Sequence, residues 1–256
     1  MGVVVAAWHR RLGRWFSTGG LVLAIVSAVP IHPAAYLVLA LSTAAWQFGP
    51  TRSATTRRAV DAVLILAVVA ILGAALAARG DSRLDLPRDK PVYVVGDSVS
   101  AGLGTSKDGT WPQLLATRLG LNVANLAQPG ASLADGASQA RSIREGPAVV
   151  LVELGGNDLL GGTTPARFGT DLRSLLEVVK TRDRYVLMFE LPLLPFQNSF
   201  GRVQREACKE YGVTLVPRSL LAGALALPGH ASDGVHLSTE GHSWLAERVG
   251  ELWLGR

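Results

Sequence analysis

Val92-Tyr93-Val94-Val95-Gly96-Asp97-Ser98-Val99-Ser100-Ala101-Gly102 is an apolar run that ends abruptly in Gly-Asp-Ser. Four apolar residues, β-branched or aromatic, predict a strand buried in a parallel sheet, and a glycine followed by small polar residues predicts the turn at its carboxyl end. Open α/β sheets place their chemistry at that edge. Ser98 is therefore the candidate nucleophile, although Asp97 or Ser98 capping a following helix would account for the same tripeptide. Partners elsewhere in the chain decide between the two.

Strand and helix signals alternate downstream. Pro112 suits the first turn of a helix that reaches Leu119 and ends at Gly120. Leu121–Leu126 follows as a strand, Gln128–Ser132 as its exit loop, and Leu133–Ile143 as a helix with Gly136 inside it. Ala148–Leu154 is the strongest strand signal and breaks at Gly155-Gly156-Asn157-Asp158. Phe168, Leu172, Leu175, Leu176 and Val179 have helical spacing within Pro165–Lys180. Tyr185–Leu191 and Val213–Val216 read as two more strands, with helices over Ser199–Tyr211 and Ser219–Ala226. A polar loop, Gly229–Ser238, leads to a last helix carrying Trp244, Leu245, Val249 and Leu252. This alternation predicts an α/β fold whose parallel sheet is covered on both faces.

The chain has 256 residues, 48% of them hydrophobic, and the apolar excess is concentrated in its first third. Residues 1–80 are read as a membrane region, 81–90 as a polar linker and 91–256 as the folded domain. Three short transmembrane helices are expected at about 15–29, 34–48 and 62–78, the first two divided by Pro30-Ile31-His32-Pro33. Arg10, Arg11 and Arg14 precede the first span, while Arg52, Arg57 and Arg58 lie between the second and third. The positive-inside rule puts both groups in the cytoplasm, so three crossings leave the domain on the extracytoplasmic side of an integral membrane protein. The net charge of +5 owes much to these arginines and suits anionic headgroups of a lipid bilayer. Nucleic acid is not expected as a partner, since basic residues are not interleaved with exposed aromatics in the later region. Cys208 is the single cysteine, which excludes an intrachain disulfide and a thiolate metal cluster.

A serine hydroxyl needs a base, and histidine is the side chain best poised to serve near neutral pH. His9 and His32 lie in the membrane region, His242 lies within the last helix on a face expected to be exposed, and His230 has no acid at useful spacing. His236 has Asp233 three residues earlier, so within one turn the carboxylate can reach Nδ1 and leave Nε2 facing the serine. Acyl transfer also needs donors for the oxyanion. The Ser98 and Gly130 amides and the Asn157 side chain could supply them, while Gly130 equally suits a turn and Asn157 a loop closed on its own backbone. Asp97, Gly155 and Asp158 are read as supporting, turn-shaping residues. Ser100 occupies the final glycine position of a Gly-x-Ser-x-Gly elbow, and Gly102-Leu103-Gly104 lacks the third glycine of a dinucleotide fingerprint. No metal and no cofactor are expected.

As a set, Gly96-Asp97-Ser98, Asn125 with Gly130, Gly155-Gly156-Asn157-Asp158 and Asp233-Gly234-Val235-His236 resemble, in order and spacing, the four blocks of the SGNH/GDSL hydrolases. The resemblance spans Pro91 to the C-terminus, and Val150–Asp158 is most similar to the bacterial thioesterase and lysophospholipase branch. It implies a flavodoxin-like three-layer α/β/α sandwich with a five-stranded parallel sheet. It also implies Ser98 as nucleophile, His236 as base, Asp233 as its orienter, and Ser98, Gly130 and Asn157 as oxyanion hole. Val99 stands where leucine is common after the serine, and the region before the domain is not part of the family pattern. The expectation is a membrane-anchored serine ester hydrolase that cleaves a small-molecule acyl ester or lipid through an acyl-enzyme. The alternatives are an acyltransferase or deacetylase acting on a cell-envelope glycan or lipid, and a catalytically silent binding module. The loops Leu159–Thr164 and Leu193–Phe200 are apolar enough to line an acyl pocket or simply to pack into the core.

Overall fold

The computed structural model describes residues 84, 86–193, 197–233 and 235–255, together with single positions between 37 and 73. Five strands form one sheet: β1 (Val92–Gly96), β2 (Val123–Asn125), β3 (Ala148–Glu153), β4 (Arg184–Phe189) and β5 (Thr214–Val216). Their order is β2-β1-β3-β4-β5 and every neighbouring pair is parallel. Eight α-helices accompany them between residues 98 and 253: α1 (Ser98–Ala101), α2 (Trp111–Leu119), α3 (Leu133–Ala140), α4 (Gly156–Leu160), α5 (Pro165–Val179), α6 (Asn198–Tyr211), α7 (Arg218–Ala226) and α8 (Thr239–Trp253). This is the α/β fold expected from the alternation of elements, with β1 and β3 in the middle of the sheet.

Period-two alternation divides the strand residues between two helical layers. Val92 and Val94 of β1, Val149 and Leu151 of β3, Leu187 and Phe189 of β4 and Val216 of β5 share one core. Trp111 and Leu115 of α2, Leu221 of α7 and Leu245, Val249 and Trp253 of α8 complete it. The intervening residues Tyr93, Val95, Val150, Val152 and Met188 are also buried, so the central strands are covered on both faces. On that second side Cys208 of α6 meets Met188 of β4, Phe168 of α5 packs edge-on against Phe200 of α6, and Gly136 of α3 lies against Leu154 and Leu175.

Two short helices, α1 and α4, follow the ends of central strands; a capped helix after Gly-Asp-Ser was one of two readings there, whereas only a break was read at Gly155-Gly156-Asn157-Asp158. At four and five residues they are too short to carry a 3.6-residue apolar period, and each begins at the carboxyl end of a central strand. The stretch read as a linker docks on the domain: the Leu84 and Leu86 amides donate to Leu252 and Trp253 carbonyls, and Trp253 Nε1 returns a bond to Leu86 at 3.1 Å. Two leucines in a polar segment were the signal. His242, expected on an exposed face of the last helix, is instead 1% exposed. It lies one turn into α8, where helical phase puts it with Leu245, Ala246 and Val249 on the core side.

The membrane spans expected at about 15–29, 34–48 and 62–78 fall largely outside the described residues. Among those described there, Leu37, Leu41, Val63, Ile65, Leu66 and Val69 are helical with exposed side chains. No helix among the described residues is long and apolar enough to cross a membrane.

Candidate active site

The sheet's carboxyl edge is built from three strand ends and one loop. At the end of β1 the chain enters α1 with Ser98 as its first helical residue and Asp97 as N-cap. The Asp97 carboxylate accepts the Val99 amide at 3.0 Å, so the capping explanation of Gly-Asp-Ser holds for Asp97 and leaves Ser98 unused by it. Ser98 Oγ has no hydrogen-bond partner among the described residues. Its amide belongs to the first turn of a helix, where donors lack intrahelical acceptors. Gly96 is pinned from the side by Gln139 of α3, whose amide bonds both its N–H and its C=O at 3.0 and 2.9 Å.

Beyond β2, Asn125 ties this exit to α1 by donating to the Ser100 carbonyl at 2.7 Å. Gly130 follows with a φ of +77°, in the left-handed region, and is exposed. At the end of β3, Gly155 has a φ of +112°, and a Cβ there would meet Leu191 and Phe168. That glycine starts α4 and turns Asn157 toward both neighbouring exits. Asn157 Nδ2 donates to Asp97 Oδ2 at 3.2 Å and to the carbonyl of Ala131, next to Gly130, at 3.0 Å. Asp158 reaches the same loop, accepting the Leu133 amide at 3.0 Å. Burial raises the Asp158 carboxyl above its ordinary value, and this amide partly offsets the rise. Asn157 and Asp158 therefore join the first three blocks of the edge into one hydrogen-bonded unit.

The fourth block is the loop between α7 and α8. His236 Nδ1 is 2.7 Å from Asp233 Oδ2, and Asp233 Oδ1 accepts the amides of Val235 and His236 at 3.1 and 2.9 Å. One oxygen shapes the loop while the other orients the ring. The bond to His236, then the two amides, hold the Asp233 carboxyl down at about 2. The loop's ends are closed by Ser238 N to His230 O at 2.7 Å, Ser238 Oγ to Gly229 O at 2.6 Å and Ser232 N to His236 O at 2.9 Å. Ser98 and His236 are not directly hydrogen-bonded, and a catalytic hydrogen bond of this kind can be long before the Michaelis complex forms.

Sequence reasoning missed the layer beneath α1. Glu153, the last residue of β3 and register partner of Gly96, is 3% exposed and accepts the Ser100 hydroxyl at 2.8 Å. Trp111 Nε1 donates to that same hydroxyl at 3.1 Å, and the Trp111 amide donates to His242 Nδ1 at 3.2 Å. Burial, reinforced by the negative charge of Asp97, pushes the Glu153 carboxyl well above the usual range. A glutamate ending a strand that is otherwise wholly apolar was the available signal, because such a group must find a partner.

With these positions in hand, likeness to known proteins becomes informative. The model of the GDSL-like Lipase/Acylhydrolase family matches residues 94–244. Esterase TesA of Pseudomonas aeruginosa is 32% identical over 171 residues, covering 62% of this chain and 85% of that protein. Thioesterase 1/protease 1/lysophospholipase L1 of Escherichia coli is 28% identical over 165 residues, covering 61% of this chain and 79% of that protein. A crystal structure of TesA superposes with a TM-score of 0.58 at 31% identity, over 64% of this chain and 97% of that one.

Proposed function

This chain belongs to the GDSL-like lipase/acylhydrolase family and is an ester-hydrolysing enzyme; from that premise we propose that Ser98, His236 and Asp233 carry the reaction as a catalytic triad. The observation that carries the assignment is the 2.7 Å bond between His236 Nδ1 and Asp233 Oδ2. It fixes the imidazole with a proton on Nδ1 and leaves Nε2 free to accept the Ser98 proton. Ser98 Oγ then attacks the acyl carbonyl while His236 takes its proton, and the oxyanion that forms is met by three donors at the edge. These are the Ser98 amide at the start of α1, the Gly130 amide and the Asn157 side chain. Asn157 exchanges its bond to the Ala131 carbonyl for the oxyanion and keeps Asp97 as its anchor. Collapse of the tetrahedral species expels the alcohol or thiol, which takes the proton from His236. Water, deprotonated by the same imidazole, then releases the acid and frees Ser98.

The substrate is a small acyl ester, thioester or lipid, in keeping with the esterase and thioesterase/lysophospholipase names of the relatives. Membrane anchoring through residues 1–80 completes the proposal, supported by the exposed apolar helical positions at Leu37, Leu41, Val63, Ile65, Leu66 and Val69. Turnover of short p-nitrophenyl esters, thioesters, lysophospholipids and acetylated sugars, with and without added alcohol acceptors, tests the chemistry. Free acid as the product supports hydrolysis. Acyl transfer to the acceptor in preference to water contradicts it, and no turnover of any ester overturns the enzymatic role of this site. For the topology, a C-terminal alkaline phosphatase fusion should be active and a green fluorescent fusion dark; the reverse pair puts the domain in the cytoplasm.

A further inference from the structure

At the amino edge of the sheet, opposite the candidate site, positive charge collects without acid to pair it. Arg88 precedes β1, Arg141 and Arg144 lie between α3 and β3, Lys180 and Arg182 between α5 and β4, and Lys209 near the end of α6, before β5. These segments are neighbours because β1, β3, β4 and β5 are consecutive in the sheet. All six side chains are exposed or half-buried, and none forms an ion pair among the described residues. Elsewhere on the domain arginine is held by acid. Arg118, Arg167, Arg173, Arg205, Arg218 and Arg248 all lie within 3.8 Å of a carboxylate, with Lys107 and Arg202 as the exceptions. Glu145 and Asp183 sit among the six cations, so positive charge is in excess at this edge. Helix dipoles account for Arg141 and Lys180, which end α3 and α5, but Arg88, Arg144 and Arg182 stand in loops.

Arg184 draws these loops together from beneath. It starts β4 beside Ala148, the first residue of β3, and is 7% exposed. Its Nη1 donates to the Val178 and Val179 carbonyls at 3.3 Å and its Nη2 to the Arg144 carbonyl at 3.1 Å, while Lys180 Nζ donates to the Arg184 carbonyl at 3.1 Å. The guanidinium is thus met by carbonyls alone, with Nε unpartnered, and a further uncompensated charge underlies the surface. Tyr185 is 53% exposed because β5 pairs with β4 only from Leu187 onward, and it adds an aromatic ring at the same edge. The chain also enters β1 here, with Leu84 and Leu86 already bonded to the end of α8.

We propose that this amino edge docks on an anionic lipid surface, whose headgroup phosphates supply the negative charge that the six cations lack. The carboxyl edge with Ser98 then opens away from the lipid, so the ester is taken from the aqueous side. A lipid surface fits better than a nucleic acid on two counts. The cations are spread over the entries to four strands with one exposed ring among them, not interleaved with a row of stacking aromatics, and the chain comes to this edge from the apolar residues 1–80. The inference rests on those residues reaching a membrane, and the test reads the two claims separately.

Full-length protein carrying Ser142→Cys reports docking, because Ser142 is exposed between Arg141 and Arg144 and the native Cys208 is buried. The protein is floated with vesicles of phosphatidylcholine, alone or containing phosphatidylglycerol, and treated with a polymer-linked maleimide too bulky to enter the headgroup layer. Labelling is expected to be slower on the anionic vesicles and to recover in high salt. Each cation near such a surface strengthens association about fivefold, so Arg144→Gln with Arg182→Gln should lower the docking constant read from these rates by roughly twenty- to thirtyfold. Lys107→Gln with Arg202→Gln should leave it unchanged. Flotation with both vesicles at equal labelling rates overturns the docking edge and leaves anchoring intact. Flotation with the anionic vesicles alone, reversed by salt, supports the docking edge and overturns anchoring, and flotation with neither overturns both. Shielding of Ser142→Cys by transfer RNA but not by anionic vesicles assigns the surface to nucleic acid and overturns the proposal.

Discussion

Replacing Asp233 by asparagine separates the two jobs this carboxylate does. Its Oδ1 receives the Val235 and His236 amides at 3.1 and 2.9 Å, and its Oδ2 receives His236 Nδ1 at 2.7 Å. In Asp233→Asn the carbonyl oxygen keeps the two loop-shaping bonds, so the loop between α7 and α8 stays as it is. The amide nitrogen, however, is a donor and satisfies its contact with Nδ1 only if that nitrogen is unprotonated. The ring proton then moves to Nε2, where the Ser98 hydroxyl needs an acceptor. In a buried triad the same change costs about 10⁴ in kcat. Here the Asp233 side chain is 54% exposed, so water offers the ring other partners, and a loss of roughly 10²- to 10³-fold is expected. The assay is hydrolysis of p-nitrophenyl acetate at pH 8 together with thermal unfolding. The Tm should stay close to wild type while kcat collapses. An Asp233→Asn variant with near wild-type kcat would refute the role of Asp233, and one that loses Tm and kcat together would show that the side chain only shapes the loop.

Three further outcomes follow from the same geometry. Asn157→Ala removes one of the proposed oxyanion donors and should lower kcat by about 10²- to 10³-fold with a smaller effect on KM, read from steady-state kinetics. In Gly241→Ala the new Cβ meets the His230 carbonyl, the acceptor of the Ser238 amide, so the loop carrying Asp233 and His236 shifts; destabilisation of about 1–3 kcal/mol in urea unfolding and a lower kcat/KM are expected together. Burial holds the His242 imidazole down at about 4, against about 6.5 in an unfolded chain, so between these values the unfolded state binds the extra proton. Stability is accordingly full above pH 6.5 and falls as the pH drops toward 4, by up to roughly 3 kcal/mol, a slope that His242→Gln should flatten in urea titrations at pH 7 and 4.5.

Sequence pattern alone conveys the sheet because the central strands β1 and β3 are nearly continuous apolar runs bounded by turn residues, and all five strands overlap the segments read as strands. Helix α5 was equally legible, since Phe168, Leu172, Leu175, Leu176 and Val179 mark one face and all are buried. Periodicity cannot report α1 and α4, which are set by single events: a capping carboxylate at Asp97 and a left-handed backbone at Gly155. At the candidate site, Asp233 and His236 were legible from spacing because their contact is local. The bond from Asn157 to Asp97 spans sixty residues and that from Ser100 to Glu153 fifty-three, so only the parallel β1–β3 register reveals them. His242 was misplaced because a polar residue in a helix was read as solvent-facing, whereas its phase with Leu245 and Val249 puts it inside, accepting the Trp111 amide.

Covalent capture at Ser98 tests the central claim most directly. A fluorophosphonate probe incubated with the purified full-length protein, followed by digestion and mass spectrometry, should place the adduct on the peptide containing Ser98, with no adduct in Ser98→Ala and slower labelling in Asp233→Asn. Labelling that persists in Ser98→Ala, or a wild-type protein that is neither labelled nor able to hydrolyse p-nitrophenyl esters, would contradict it.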